Sequence, residues 1–228
     1  RVVGDILSAQ QNAADYPDTP LAGHLASVAR MIRGGLRTKM YLVRLTGWDT
    51  HERQADPHAE LLQMLGDAVA AFQADLDQTG HSERVLTLTV SEFGRRVAEN
   101  GSAGTDHGEA APLFVIGPGV QPGILGEQPD LTSEDIPYDI DYRAVYTSVL
   151  EAWLGLDRAS ARAILGGDFE SLPFVASRIS PAAGSDVPDA GREASSGEPL
   201  GQNYPNPAQT TTTIPFTLDK STPVRLTV

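Results

Sequence analysis

Two stretches of the chain repeat apolar positions with a helical period. Residues 20–34 place Leu21, Leu25, Val28, Ala29 and Ile32 on one face, and Gly34-Gly35 ends the run. Residues 58–78 place Leu61, Leu62, Leu65, Val69, Phe72 and Leu76 on one face, with Gly80 just past the end. A shorter helix is expected at about 141–154, with Tyr142, Val145, Val149 and Trp153 as its apolar face. Residues 39–45 (Lys-Met-Tyr-Leu-Val-Arg-Leu) read as a buried strand, and residues 84–90 and 112–117 as two more. The loop 46–57 and the turn-rich stretch 118–139 separate these elements. The order strand, helix, strand, loop, strand, helix predicts an α/β domain, a parallel or mixed sheet flanked by helices, over residues 1–179. No internal repeat is visible.

The pattern then changes. Residues 180–199 are rich in Ser, Pro, Ala, Gly and Asp and hold almost no large apolar group, so they read as a linker. Residues 200–228 alternate again, through Thr213-Ile214-Pro215-Phe216-Thr217-Leu218 and Val224-Arg225-Leu226-Thr227-Val228, as two short strands of a partial β-sandwich tail would. The start shows no charged stretch followed by an apolar one and no initiator Met, and the end falls inside a strand-like run. The expectation is an incomplete stretch of a longer exported protein.

Composition narrows the function classes. With 228 residues, 40% hydrophobic, the chain is long enough for one sizeable core plus an appendage. A formal charge of −13 disfavours a phosphate backbone, so nucleic acid is not an expected partner. It leaves room for a small anionic ester beside a bound metal, which inverts the field locally. The absence of Cys removes disulfides, thiolate metal sites and thiol catalysis. No apolar run approaches the ~18 residues of a membrane span.

The chemistry-bearing residues gather in three stretches: Gly47-Trp48-Asp49-Thr50-His51, Ser91-Glu92-Phe93-Gly94-Arg95-Arg96 and Gly104-Thr105-Asp106-His107-Gly108. The first two lie at or just past the ends of expected strands, the edge where open α/β sheets build sites. Asp49, His51, Glu92, Asp106 and His107 are the candidate metal ligands. A carboxylate and imidazole set suits a divalent ion, Zn²⁺ first, with Mg²⁺, Mn²⁺ or Ca²⁺ if oxygen ligands dominate. A tight turn brings Asp49 and His51 together with Thr50 facing away. Adjacent Asp106 and His107 serve two ions, or one ligates while the other supports it. Arg95 and His58 are candidate substrate-binding groups. Taken singly, each motif is a common turn, helix-start or surface pattern. His24 and His81 read as structural and exposed, and Trp48 and Trp153 as packing groups. Thr50, Ser91 and Thr105 lie close by, but none sits in a nucleophile elbow.

In combination these stretches, with His58, Leu61-Leu62 and Asp141-Tyr142-Arg143-Ala144-Val145-Tyr146, resemble the family called domain of unknown function 1501, over about residues 1–160. That family falls in the alkaline phosphatase-like superfamily, whose members hydrolyse or transfer phosphate and sulfate esters with one or two metals. The resemblance implies that Asp49 and His51 form the first ligand group and His107 the third. Glu92 stands where the second would be, with Phe93 in place of its His. The superfamily's nucleophile lies N-terminal of these motifs, so the resemblance implies that this chain holds half a site. Leu200-Gly201-Gln202-Asn203-Tyr204-Pro205-Asn206-Pro207, with Thr211-Thr212-Thr213-Ile214 and Phe216-Thr217-Leu218, resembles the type A C-terminal sorting domain of the type IX secretion system. That implies passage through the periplasm to the medium or the cell surface, with the secretion machinery as a partner. The expected function is an exported metal-dependent ester hydrolase. The other is a secreted or surface-attached binding protein that keeps the fold without catalysis.

Overall fold

A computed structural model describes residues 2–176; the expected linker at 180–199 and sorting tail at 200–228 lie outside the described residues. The described chain is a mixed α/β structure of five α-helices and two small antiparallel sheets. Its largest core lies between helix α2 (Pro20–Arg33) and helix α3 (Ala55–Gln78). Thr19 caps α2, its side chain accepting from the Ala22 N–H, and Pro20 occupies the first turn. Leu21, Leu25, Val28 and Ile32 of α2 pack against Ala68, Phe72 and Leu76 of α3, as the sequence period requires. Helix α3 starts earlier than its apolar pattern, because its first turn docks on a distant loop: the Gln54 N–H donates to Ala103 O. An additional helix, α1 (Val2–Ala9), precedes α2.

Asp75 lies on the buried face of α3 and is 2% exposed. Among the described residues no cation pairs with it. Its carboxylate accepts from Asn12 Nδ2 at 2.8 Å and from the Ala13 N–H at 3.1 Å. The Tyr16 phenol is pushed above its usual range by burial and then by the Asp75 charge beside it. One acid therefore holds the segment between α1 and α2 against α3, accepting from an amide and a backbone N–H with the Tyr16 phenol nearby.

The strands differ from expectation. Residues 39–45 join no sheet, although their burial alternates: Tyr41, Val43 and Leu45 pack on the α2–α3 core, while Met40 and Leu42 are exposed. Of residues 84–90 only β1 (Thr87–Leu88) pairs, antiparallel with β4 (Val115–Ile116). A second antiparallel pair, β2 (Gly94–Glu99) with β3 (Thr105–Gly108), falls where loops were expected. Neither strand alternates apolar with polar residues, so its pairing is set by side chains from elsewhere. Helix α4 (Tyr142–Ser148) opens on its Asp141 cap and gives way to a wider π turn at Val149–Trp153. Val145 is buried there with Phe174 and Val175, but Tyr142 turns outward and packs edge-on against Tyr146. Helix α5 (Arg158–Leu165) completes the described chain, capped by Asp157 and closed by Gly166 at φ 69°.

The Asp75 cluster yields a stability prediction. Asp75→Ala leaves the Asn12 amide and the Ala13 N–H without their acceptor, so it is expected to cost about 2 kcal/mol, and Asp75→Asn, which keeps one acceptor oxygen, about half of that. Denaturant midpoints of the three proteins at constant slope check it, and equal midpoints would refute the keystone role.

Candidate metal centre

The site forms where the turn before α3 meets the β2–β3 pair. Asn100 makes the joint. Its Nδ2 donates to His51 O, and its Oδ1 accepts from the Ser102 and Gly104 N–H groups. The Arg53 N–H donates to Ser102 O and the Gln54 N–H to Ala103 O. Thr105 Oγ1 donates to Gln54 Oε1. Arg53 and Ala103 take left-handed backbone conformations, φ 45° and 57°, which costs each about 1 kcal/mol and is held by these contacts. Gly104 sits against the His51 backbone so closely that a Cβ there would lie 2.2 Å from the His51 carbonyl carbon.

That docking brings three side chains together. The Asp49, His51 and His107 ligand atoms all lie within 4.8 Å of one another. Asp49 Oδ1 is 2.7 Å from His107 Nε2 and 3.0 Å from His51 Nε2, and the two imidazole nitrogens are 3.2 Å apart. The side chains are 45–63% exposed, so solvent reaches the cluster. Thr50, between Asp49 and His51, is buried and faces the other way. The other nitrogen of His51, Nδ1, faces Asp106 Oδ1 at 3.4 Å. A proton on Nδ1 leaves the Nε2 lone pair directed at the cluster, the arrangement that carboxylates give to metal-binding imidazoles. The His107 ring stacks on Phe93, with centroids 3.8 Å apart and planes at 6°.

Charge is compensated by Arg95. Its guanidinium lies 3.6 Å from Asp49 Oδ1, donates to Trp48 O and Thr105 O, and rests 5.0 Å above the Phe93 ring. The hydrogen bond with His107, and then the charges of His51, His107 and Arg95, hold the Asp49 carboxyl below its usual range against a desolvation effect of opposite sign. Asp49 therefore stays an anionic donor in mildly acidic solution.

The five candidate ligands separate into roles. Asp49, His51 and His107 converge. Asp106 stands behind His51. Glu92 is exposed and makes no contact with the cluster among the described residues, because it precedes β2 and the side chain that reaches the site from that stretch is Phe93. His58 packs edge-on against Trp48, at 5.3 Å, and its Nδ1 is buried without a hydrogen-bond partner among the described residues. His58 and Arg95 line an open pocket of about 480 Å³ with Gln54, Arg96, Val97 and Thr105, and none of the three converging side chains lines it. Asn100 was not singled out in the sequence, where an Asn before Gly reads only as a turn signal. One carboxylate oxygen and two imidazole nitrogens can hold a divalent cation and leave further positions open to solvent.

A family model described as "Protein of unknown function (DUF1501)" matches residues 9–172, more than half of the chain. No curated protein matches, and no solved structure matches.

If docking of the two loops creates the cluster, Gly104→Ala must part His51 from His107. The variant is expected to lose about 2 kcal/mol of stability through overpacking. Its Zn²⁺ affinity, measured by calorimetry on protein still folded by circular dichroism, is expected to fall at least about tenfold, or 1.4 kcal/mol. Unchanged Zn²⁺ binding would refute the coupling.

Proposed function

This chain belongs to the DUF1501 family, and on that premise we propose that it is an exported, metal-dependent hydrolase of phosphate or sulfate esters, related to the alkaline phosphatase-like superfamily. The observation that carries the reading is the convergence of Asp49, His51 and His107 within 4.8 Å. The order in which the chain presents Asp-x-His and then a later His supports the superfamily assignment. The donor set fits a divalent ion, Zn²⁺ before Mg²⁺, Mn²⁺ or Ca²⁺, because two of the three donors are imidazole nitrogens. When bound, such an ion supplies Lewis acidity toward an ester oxygen.

This chain's own residues do the rest. Asp49 stays ionised and offers its oxygen. Asp106 orients His51. Phe93 fixes the plane of the His107 ring. Arg95 balances the Asp49 charge. The tail at residues 200–228 supports export through the type IX machinery to the medium or the cell surface, and the formal charge of −13 suits small solutes rather than nucleic acid as partners.

A second reading is a secreted binding protein that holds the metal without catalysis. One observation favours it: the hydroxyls nearest the cluster are all engaged. Thr50 is buried against Trp48 O, Ser91 Oγ donates to Phe93 O, and Thr105 Oγ1 donates to Gln54. Each of these three hydroxyls already donates within the described chain.

One experiment separates the readings. The full-length protein that contains this chain is stripped with a chelator, reloaded with Zn²⁺ or Mn²⁺, and its metal content and hydrolysis of aryl phosphate and aryl sulfate are measured. One equivalent of metal is expected for the native chain and none for His51→Ala or His107→Ala, with Asp106→Ala weakened about 10–100-fold. Metal-dependent hydrolysis lost in the alanine variants supports the hydrolase; metal without hydrolysis supports the binding protein; no metal sinks both.

A further inference from the structure

Asn100, which joins the two halves of the site, is followed by Gly101. In an Asn-Gly sequence the glycine nitrogen can attack the side-chain amide carbon, because no Cβ hinders the ring closure. The turn at 100–104 is arranged for that attack. Asn100 Oδ1 accepts from the Ser102 N–H at 2.9 Å and from the Gly104 N–H at 3.1 Å. The first bond folds the side chain back along its own backbone, which brings its amide carbon toward the Gly101 nitrogen. Both donors stand at oxyanion-hole distances from the oxygen that becomes negative during attack. The Gly101 N–H itself donates to no described residue. One bond opposes the reaction: Nδ2 donates to His51 O at 2.9 Å and must give it up. A neutral bond of that kind slows the step about fivefold. The two bonds to Oδ1 each become about twice as strong as the oxygen gains charge, so together they outweigh the one that is lost.

The fold does not demand glycine at 101. Its backbone is not left-handed, and a Cβ added there meets no described atom within 4 Å. Gly104, three residues on, is the opposite case, since a Cβ there runs into the His51 backbone. The missing side chain at 101 thus serves no packing role among the described residues, and what it does permit is cyclisation. Asn12 gives an internal comparison. It precedes Ala13, and its Nδ2 is held by Ala26 O and by the buried Asp75.

We propose that Asn100 is a modification site, at which cyclisation with Gly101 converts asparagine to aspartate and isoaspartate and undoes the joint of the site. The Gly101 nitrogen, its proton taken by solvent base, bonds to Asn100 Cγ. The Cγ–Nδ2 bond then breaks, and the nitrogen takes a proton from water and leaves as ammonia. Water opens the succinimide at one carbonyl to aspartate and at the other to an isoaspartyl link. Either product loses the donor that Nδ2 offered to His51 O, and the isoaspartyl link adds a carbon to the backbone of the turn. In the aspartate product a carboxylate oxygen faces that carbonyl, and the two repel. His51 then loses its tie to the β2–β3 pair. The modification does not rest on metal binding; its effect on Zn²⁺ rests on the reading of Asp49, His51 and His107 as ligands.

The test incubates the full-length protein that contains this chain at neutral and mildly alkaline pH. Mass spectrometry follows the peptides that hold Asn100 and Asn12, and an isoaspartyl-specific methyltransferase reports the branched product. Asn100 is expected to react well ahead of Asn12, faster at the higher pH, and no more slowly than in the excised peptide. Gly101→Ala is expected to keep the native circular dichroism and to slow the reaction at least about tenfold, the factor that about 1.4 kcal/mol of barrier makes. Asn100→Asp, the product in place, is expected to lower Zn²⁺ affinity at least about tenfold. It is also expected to speed hydrogen exchange of the Arg53 and Gln54 amides, whose bonds to Ser102 O and Ala103 O cross the same joint. An Asn100 that stays intact in the folded protein while the excised peptide reacts would overturn the proposal, because the turn would then protect it. A rate unchanged in Gly101→Ala, or native exchange in Asn100→Asp, would also overturn it. Faster exchange in Asn100→Asp supports it even where the unmodified protein binds no Zn²⁺, a result that sinks the metal reading alone.

Discussion

The Arg95 guanidinium is the group on which the arrangement of the site depends. It is 16% exposed and touches all three stretches that carry the cluster. It donates to Trp48 O beside Asp49, donates to Thr105 O ahead of His107, and lies over Phe93, the ring on which His107 stacks. Only a planar fork with donors on several nitrogens bonds two carbonyls in different loops while its centre sits over an aromatic ring; an ammonium at the end of a flexible stem cannot do all three. Each charge-assisted bond to a carbonyl is worth roughly 1.5–3 kcal/mol. That matters here because β2 and β3 are short, mostly exposed strands with no apolar face to hold them.

Polar contacts have to do in this region what core packing does between α2 and α3. Asn100 binds both its own turn and the carbonyl of His51, and Gly104 lets the two backbones meet. The left-handed residues Arg53 and Ala103 sit at the same joint. Strain concentrated at the seam of two loops, and balanced by hydrogen bonds across it, is the pattern of a site whose geometry is fixed before a ligand arrives. The cluster is also electrostatically unfinished. Asp49 Oδ1 faces two imidazole nitrogens, themselves 3.2 Å apart, and a cation or a shared proton between them relieves the crowding of lone pairs. Protons and metal therefore compete for one position.

Much of this was legible in the sequence, for physical reasons that differ by element. Helices α2 and α3 were readable because their apolar residues repeat every turn and their caps are local. Asp49, His51 and His107 were readable as donors because of residue type and the tight Asp-x-His spacing. The β2–β3 pair was not readable, since Gly94–Glu99 and Thr105–Gly108 carry no alternation, and Asn100, Arg95 and a loop some fifty residues earlier (His51) hold them. Glu92 looked equivalent to the other carboxylates, but its place before the strand turns it away while Phe93 turns in. Arg95 has the composition of an anion clamp; its carbonyl partners, invisible in sequence, make it a brace. Asp75 was passed over because an acid on an apolar face breaks the period, and its partner Asn12 lies on another element.

Exposure sets the limits on what the cluster can do. Side chains that are 45–63% open to water sit in a high effective dielectric, so the attraction between an ion and Asp49 is far weaker than a buried site would give. Geometry must supply what the medium does not. The stacked Phe93 ring, the Asp106 carboxylate behind His51 and the Arg95 brace each restrict a donor to one orientation, so an arriving ion meets ligands whose rotational entropy is already lost. The same openness leaves the rest of the cluster facing solvent, where a small solute can reach it without any part of the described chain having to move. A site of this kind is selected by donor type and orientation rather than by field strength. Two imidazole nitrogens and one carboxylate oxygen are the donors that any such ion would meet, even within a strongly acidic protein.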